Sequence, residues 1–186
     1  MILCLGLGAG LVTGIGLSRW HGHPYRSPTL NSLWLVFLGF LPQLFVVYLG
    51  NRFVSIPDWL AALSIVTSQL LLLLFAWLNR HLPGMLILVA GLVLDLAVMI
   101  ANGGFMPINP TTAERIVGAE RIASFELGSR IGYKDVLLPA SETRLEWLAD
   151  RFLPPDWLSY QVAFSLGDIF IAIGAFGILA FQKSNT

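Results

Sequence analysis

Five runs of apolar residues, at about 1–18, 32–50, 59–78, 85–101 and 160–181, constrain this chain more than anything else in it. Each approaches the ~17–25 residues that a helix needs to cross a ~30 Å hydrocarbon layer, where backbone polar groups must be satisfied within the segment itself. This predicts an all-α, polytopic membrane bundle of five spans, a single membrane domain over 1–186. Composition agrees, since 56% of the residues are hydrophobic and 12% charged, against roughly a quarter charged in a soluble domain. Eleven basic residues balance eleven acidic ones, so no basic field exists to attract nucleic acid. The single cysteine, Cys4, allows no internal disulfide.

No basic residue precedes the first run and Arg19 follows it, the pattern of a retained span and not of a cleaved signal peptide. Gly6, Gly10 and Gly14 recur every four residues on one face of that span, which suits close helix packing. A dinucleotide fingerprint in the same glycines fails for want of a preceding strand and a following acid. Pro42, with Gln43 beside it, is expected to kink the second span. Residues 79–84 make a tight helical hairpin, and Asn102-Gly103-Gly104 followed by Pro107 stops the fourth span.

About fifty residues, 103–157, then carry most of the charge and form an extracytoplasmic helical cap. Thr111 or Thr112 is expected to cap a helix through Phe125, and Ser141 or Thr143 one through Phe152 with Leu145, Leu148 and Phe152 on one face. Orientation follows from short-loop basic residues. An outside amino terminus puts Arg19, Arg26, Arg80 and Lys183 inside and leaves Arg52 in the short outer turn.

Two acids stand within the spans, Asp95 and Asp168, and an intramembrane acid is a functional-site hypothesis by default. Asp95 precedes Asn102 by seven residues, Asp168 follows Gln161 by seven and Gln43 precedes Gly50 by seven. Each therefore lies about 10 Å below one surface, at 1.5 Å rise per residue. One reading makes this layer, with Asn102 at its edge, a proton or cation site; another has each acid neutral or hydrogen-bonded to Ser165, Gln43, Gln69 or backbone, fixing helix register. His21, His23 and His81 share a predicted side but lack metal-site spacing, and read as solvated loop residues. No hydrolase, β-lactamase-type or zinc-protease motif occurs, and no cofactor is implied.

Three elements carry a resemblance. Asn102-Gly103-Gly104-Phe105-Met106-Pro107, Glu142-Thr143-Arg144-Leu145-Glu146-Trp147-Leu148-Ala149-Asp150 and Ser165-Leu166-Gly167-Asp168 resemble, in that order, the N-G-G-x-M-P, E-T-x-L-x-x-L-x-D and S-x-G-D pattern of a bacterial family of small membrane proteins, a domain of unknown function. Ala149 and Leu166 depart mildly from its usual glycine and isoleucine. The resemblance implies a place in the bacterial cytoplasmic membrane, includes Asp168 and the 102–107 turn in the family pattern, and implies an asparagine as the family's usual residue near position 95. An amide there favours hydrogen bonding over a two-carboxyl proton site. The resemblance supplies no activity.

These features point to a non-catalytic accessory or scaffold subunit of a larger membrane complex, or a binder of a lipid-like ligand. Its expected partners are the lipid bilayer and other membrane subunits. The alternative is a small proton- or cation-linked transporter or channel using Asp168, Asp95 and Gln43.

Overall fold

The computed structural model describes residues 2–52, 56–155, 157–158 and 161–181, with the side chains of 47 and 49–52 left aside. Met1, Asp156, Tyr160 and Lys183, on which parts of the expectation rest, lie outside the described residues. The chain is mostly helical. Long helices α1 (Ile2–Trp20), α2 (Trp34–Arg52), α3 (Asp58–Leu78) and α4 (Met85–Ala101) form where the apolar runs lie. After the cap comes α7 (Leu166–Ala180). Among the described residues, two helices, α1 and α3, are long and apolar enough to cross a membrane.

The helices pack α1 on α7, α7 on α4, α4 on α3 and α3 on α2. Their order in space is therefore not their order in the chain, because the last helix inserts between the first and the fourth. Backbone approach makes this possible. A Cβ on Gly10 would lie 2.7 Å from the Phe176 carbonyl oxygen, and Cβ atoms on Gly6 and Gly14 would run into the carbonyls of Ala172 and Leu179. These partners ascend together, so α1 and α7 run parallel. Across the other face of α7, Gly91 abuts Gly167 and Ile171 while Gly84 abuts Gly174 and Gly177, which sets α4 antiparallel to it.

The fourth helix stops as its glycines dictate. Asn102 is its C-cap, Gly103 follows at φ 78°, and the Gly104 amide reaches back to the Met99 carbonyl at 2.7 Å, closing a Schellman-type turn. Released from the helix, residues Met106–Ile108 become β1. This strand pairs in parallel with β3 (Asp135–Leu137), which pairs antiparallel with β2 (Arg130–Ile131). The sequence expectation of a helical cap is thus corrected: the cap contains a three-stranded sheet beside its short helices. Strands of two and three residues are too short to show a period-two pattern; β2 and β3 form a local hairpin, and β1 joins it by pairing across about thirty residues of chain.

Its helices also differ from expectation. Asn109, and not a threonine, caps α5 (Pro110–Val117), its side chain accepting the Thr111 amide at 3.0 Å with Pro110 at the first helical position. Gly118, at φ 92°, breaks the run, and α6 is one turn, Ala119–Ile122. Over 141–152 no α-helix forms, only a 3₁₀ turn at Glu146–Leu148. The reason is visible at Arg144, whose amide and carbonyl are both held by the Asn102 side chain, leaving neither for an intrahelical bond. The expected fifth span likewise starts late. Phe152 and Phe164 form an antiparallel bridge with stacked rings 5.6 Å apart, so Phe164 is still in bridged backbone immediately before the cap residue Ser165.

Apolar side chains gather in three places. One cluster joins cap to bundle (Val98, Met99, Phe105, Met106, Val136, Leu148). A second sits at the opposite end among α3, α4 and α7, and a third lies inside the cap around Ile108, Ala113 and Leu137.

Candidate functional site

At the start of α7, Ser165 is fully buried and serves as the N-cap. Its hydroxyl accepts the Asp168 amide at 2.9 Å, while the Asp168 carboxyl accepts the Ser165 amide at 3.1 Å. This is a capping box with an aspartate as its third residue. The same hydroxyl donates to the Asp95 carboxyl of α4 at 2.7 Å. Asp95 is 4% exposed and rests directly on Gly167, where any Cβ would occupy the space of its carboxyl. One serine thus brings Asp95 and Asp168 together. Because α7 begins at Leu166, Asp168 lies in its first turn and not in a helix interior, and α7 starts alongside Asp95, about 10 Å short of the end of α4.

Gln43 is elsewhere. Its amide donates to the Ser68 hydroxyl at 2.7 Å, and Ser68 in turn donates to the carbonyl of Gly39, three residues before Pro42. This polar contact joins α2 to α3, whereas Asp95 joins α4 to α7. Asn102 serves a third purpose. Its amide nitrogen donates to the carbonyls of Val98 and Arg144 and its oxygen accepts the Arg144 amide, which fastens the 142–150 segment to the end of α4. Gly6, Gly10 and Gly14 face α7, as described above.

Above the acids, inside the cap, sits a group that sequence alone does not single out. Lys134 lies 2.6 Å from the Asp150 carboxyl and 3.3 Å from that of Asp135. The Asp150 side chain is 2% exposed, and its second oxygen has no hydrogen-bond partner. Burial pushes the Asp150 carboxyl up to about 6, with Lys134 opposing the rise. Burial likewise raises Asp135. It opposes the charge of Lys134, but Asp135 and Asp150 outweigh it and hold the ammonium above the ordinary lysine range. Asp168 acts electrostatically on Asp135, Asp150, Lys134 and Asp95, so cap and bundle acids form one charge cluster. Lys134 and Asp135 read in sequence as ordinary loop charge. Asp150 had one signal, its place at the end of the E-T-x-L element.

The cluster can hold protons and hydrogen bonds. Among the described residues no group of three or more histidines, cysteines or carboxylates is arranged for a metal ion. His21, His23 and His81 are exposed, and the His21 ring donates to the Leu17 carbonyl at 2.8 Å.

The three elements that carry the resemblance therefore meet in space. Asn102 grips Arg144, the Asp150 amide donates to the Pro107 carbonyl at 3.1 Å, and Leu166 packs against the cluster that holds Met106 and Leu148. No curated protein and no solved structure matches the chain. A family model does match, over residues 28–180, which takes in all three elements and most of the sequence. The chain belongs to the family of unknown function DUF5317.

Proposed function

We propose that this chain is an integral membrane protein of five spans, with its amino terminus outside, acting as a non-catalytic scaffold or accessory subunit. The observation that carries this reading is the apolar surface of the helix row. Leu5 and Val12 on α1, Phe37 and Leu44 on α2, Leu63 on α3, Leu86 and Ile100 on α4 and Ile173 on α7 are each at least half exposed. Water does not solvate such a surface on five adjacent helices; lipid or another membrane subunit does. At 17 and 15 residues, α4 and α7 span about 25 and 22 Å at the usual rise. The extended approach to α7 compensates, since Ala163 and Ser165 are buried in protein, the condition under which non-helical backbone is tolerated at depth.

Alkaline carbonate washing tests the membrane assignment, and release of the chain into the supernatant overturns it. Labelling of Cys4, exposed near the start of α1, by a membrane-impermeant maleimide on intact cells tests the orientation. Extraction in mild detergent followed by particle-mass measurement tests the subunit role: a stoichiometric complex is expected, and an isolated chain refutes it. A proton-linked role is the second reading. It is favoured by the acids gathered there, Asp135 and Asp150 paired with Lys134 and Asp95 and Asp168 joined through Ser165. Asp168→Asn should then abolish flux driven by a pH gradient in liposomes; unchanged flux sinks it.

A further inference from the structure

A cleft of about 570 Å³ opens on the cap between α5 and the strand-like strap that follows Asp150, with Thr111, Thr112 and Arg115 on one wall and Arg151 to Pro155 on the other. Both walls are fixed. Arg115 stands four residues after Thr111 and three after Thr112, so all three share one face of α5, while Ala113 and Ile116 on another face pack into the cap core with Leu153. Arg151 lies between two anchored residues, Asp150, whose amide is held by Pro107, and Phe152, which is bridged and stacked to Phe164. The first amide and hydroxyl of α5 are already taken by Asn109, so binding falls to the guanidinium groups. Arg151 pairs with Glu146 at 3.1 Å, both close to half exposed, a kind of surface pair that contributes little and exchanges readily. Arg115 has an interaction of its own within the chain, and a guanidinium carries five donors, more than one partner uses.

We propose that this cleft binds the phosphoryl group of an anionic membrane lipid through Arg115 and Arg151. Paired guanidinium forks match phosphate oxygens in geometry as well as charge. The lipid source follows from the surroundings, and rests on the membrane reading above. Phe152, Leu153, Pro154 and Pro155 give the cleft an apolar side, and the strap continues to Trp157, 80% exposed, on the way to α7. Exposed tryptophan at the mouth of a helix bundle belongs at headgroup level, where basic pockets meet lipid phosphates.

The test is native mass spectrometry of the full chain in detergent, with equimolar dioleoylphosphatidylglycerol and dioleoylphosphatidylcholine added. The wild type should retain one phosphatidylglycerol with about fivefold preference or more, and Arg115→Gln and Arg151→Gln should each reduce that retention about fivefold. Arg151→Lys keeps the charge but not the fork and should fall between. Helical circular dichroism of each variant checks the fold, and Arg121→Gln, outside the cleft, should change nothing. Equal retention of the two lipids, or undiminished retention by both glutamine variants, overturns the site. Inorganic phosphate binding the wild type as tightly as phosphatidylglycerol overturns the lipid source in favour of soluble phosphate. Carbonate washing reads the membrane assignment separately: release of a chain that still binds phosphate through these arginines would sink that assignment and leave the anion site standing.

Discussion

The α2–α3 contact and the α4–α7 contact are each stitched by one fully buried serine, and they differ in what that serine holds. Ser68 sits between the Gln43 amide and the Gly39 carbonyl, all neutral groups. Ser165 sits between two carboxyls, Asp95 across the interface and Asp168 in its own helix. The glycines differ in the same direction. A Cβ on Gly39 would meet the Leu72 side chain at 3.3 Å and the Ser68 carbonyl at an ordinary 3.5 Å, whereas one on Gly167 would collide with the Asp95 carboxyl. A neutral serine link can set helix register without involving a charge. A serine link between acids also ties helix packing to protonation, because a carboxylate in a poorly solvated place is costly unless bonded, and it ties the bundle to the charge cluster beneath the cap.

The sharpest way to break this comparison is to add one methyl group on each side. Gly167→Ala should destabilise the protein by about 3 kcal/mol, since overpacking against an anchored group leaves no room to adjust. Gly39→Ala should stay within about 0.5 kcal/mol, the side chain of Leu72 moving aside. Thermal unfolding in detergent reads both, and equal effects would mean that the two contacts are equally tight.

Titration comes next in size. The Asp150 carboxyl is raised to about 6 from its ordinary value of 3.8, so the folded cap binds more protons than the unfolded chain between those values. Its contribution is fully present below about pH 4 and is lost as pH rises through 6, a change of about 2 kcal/mol after allowance for a compact unfolded state. Hydrogen exchange at Val136 and Asp150 should therefore speed up from pH 4 to 6 beyond its intrinsic pH dependence. Asp150→Asn should flatten that excess, and amides of α2 and α3 around Ser68 should show none.

Removing each serine separates the two links further. Ser165→Ala strips Asp95 of its donor and α7 of its cap, and should cost about 1.5 kcal/mol. Ser68→Ala should cost about 0.6 kcal/mol, the usual size of an interhelical hydrogen bond in a membrane protein. A larger loss at Ser68 would reverse the comparison.

Much of the helix inventory is legible in the residues. Long apolar runs between breakers such as Pro83-Gly84 and Asn102-Gly103-Gly104 bound α3 and α4 almost to the residue. The candidate acids were legible too, as rare residues in apolar surroundings, with Ser165 among the partners open to them, but the common layer with Gln43 was not. Placing Asp95, Asp168 and Gln43 at one depth assumes that every span is a full helix ending at the surface. The bridge between Phe152 and Phe164 delays α7 to Leu166, and Gln43 turns to Ser68. Lys134 and Asp135 gave no signal, because a charge in a loop looks the same in sequence whether it is solvated or folded under a cap. The cap helix over 141–152 failed for a related reason: helical spacing is a local property, and Asn102, forty-two residues away, takes the backbone groups of Arg144.

What the sequence determined by itself are the local facts: where backbone can be helical, where glycine and proline end it, and which faces carry glycine or acid. These depend on neighbours within a turn or two. Only the tertiary structure decided that α7 inserts between α1 and α4, that β1 pairs with β3, and that Asp95, Asp150 and Asp168 join one cluster. Each of these is a contact between residues distant in the chain, chosen by how glycine backbones approach and where buried polar groups find partners, and neither is encoded in any single stretch of sequence.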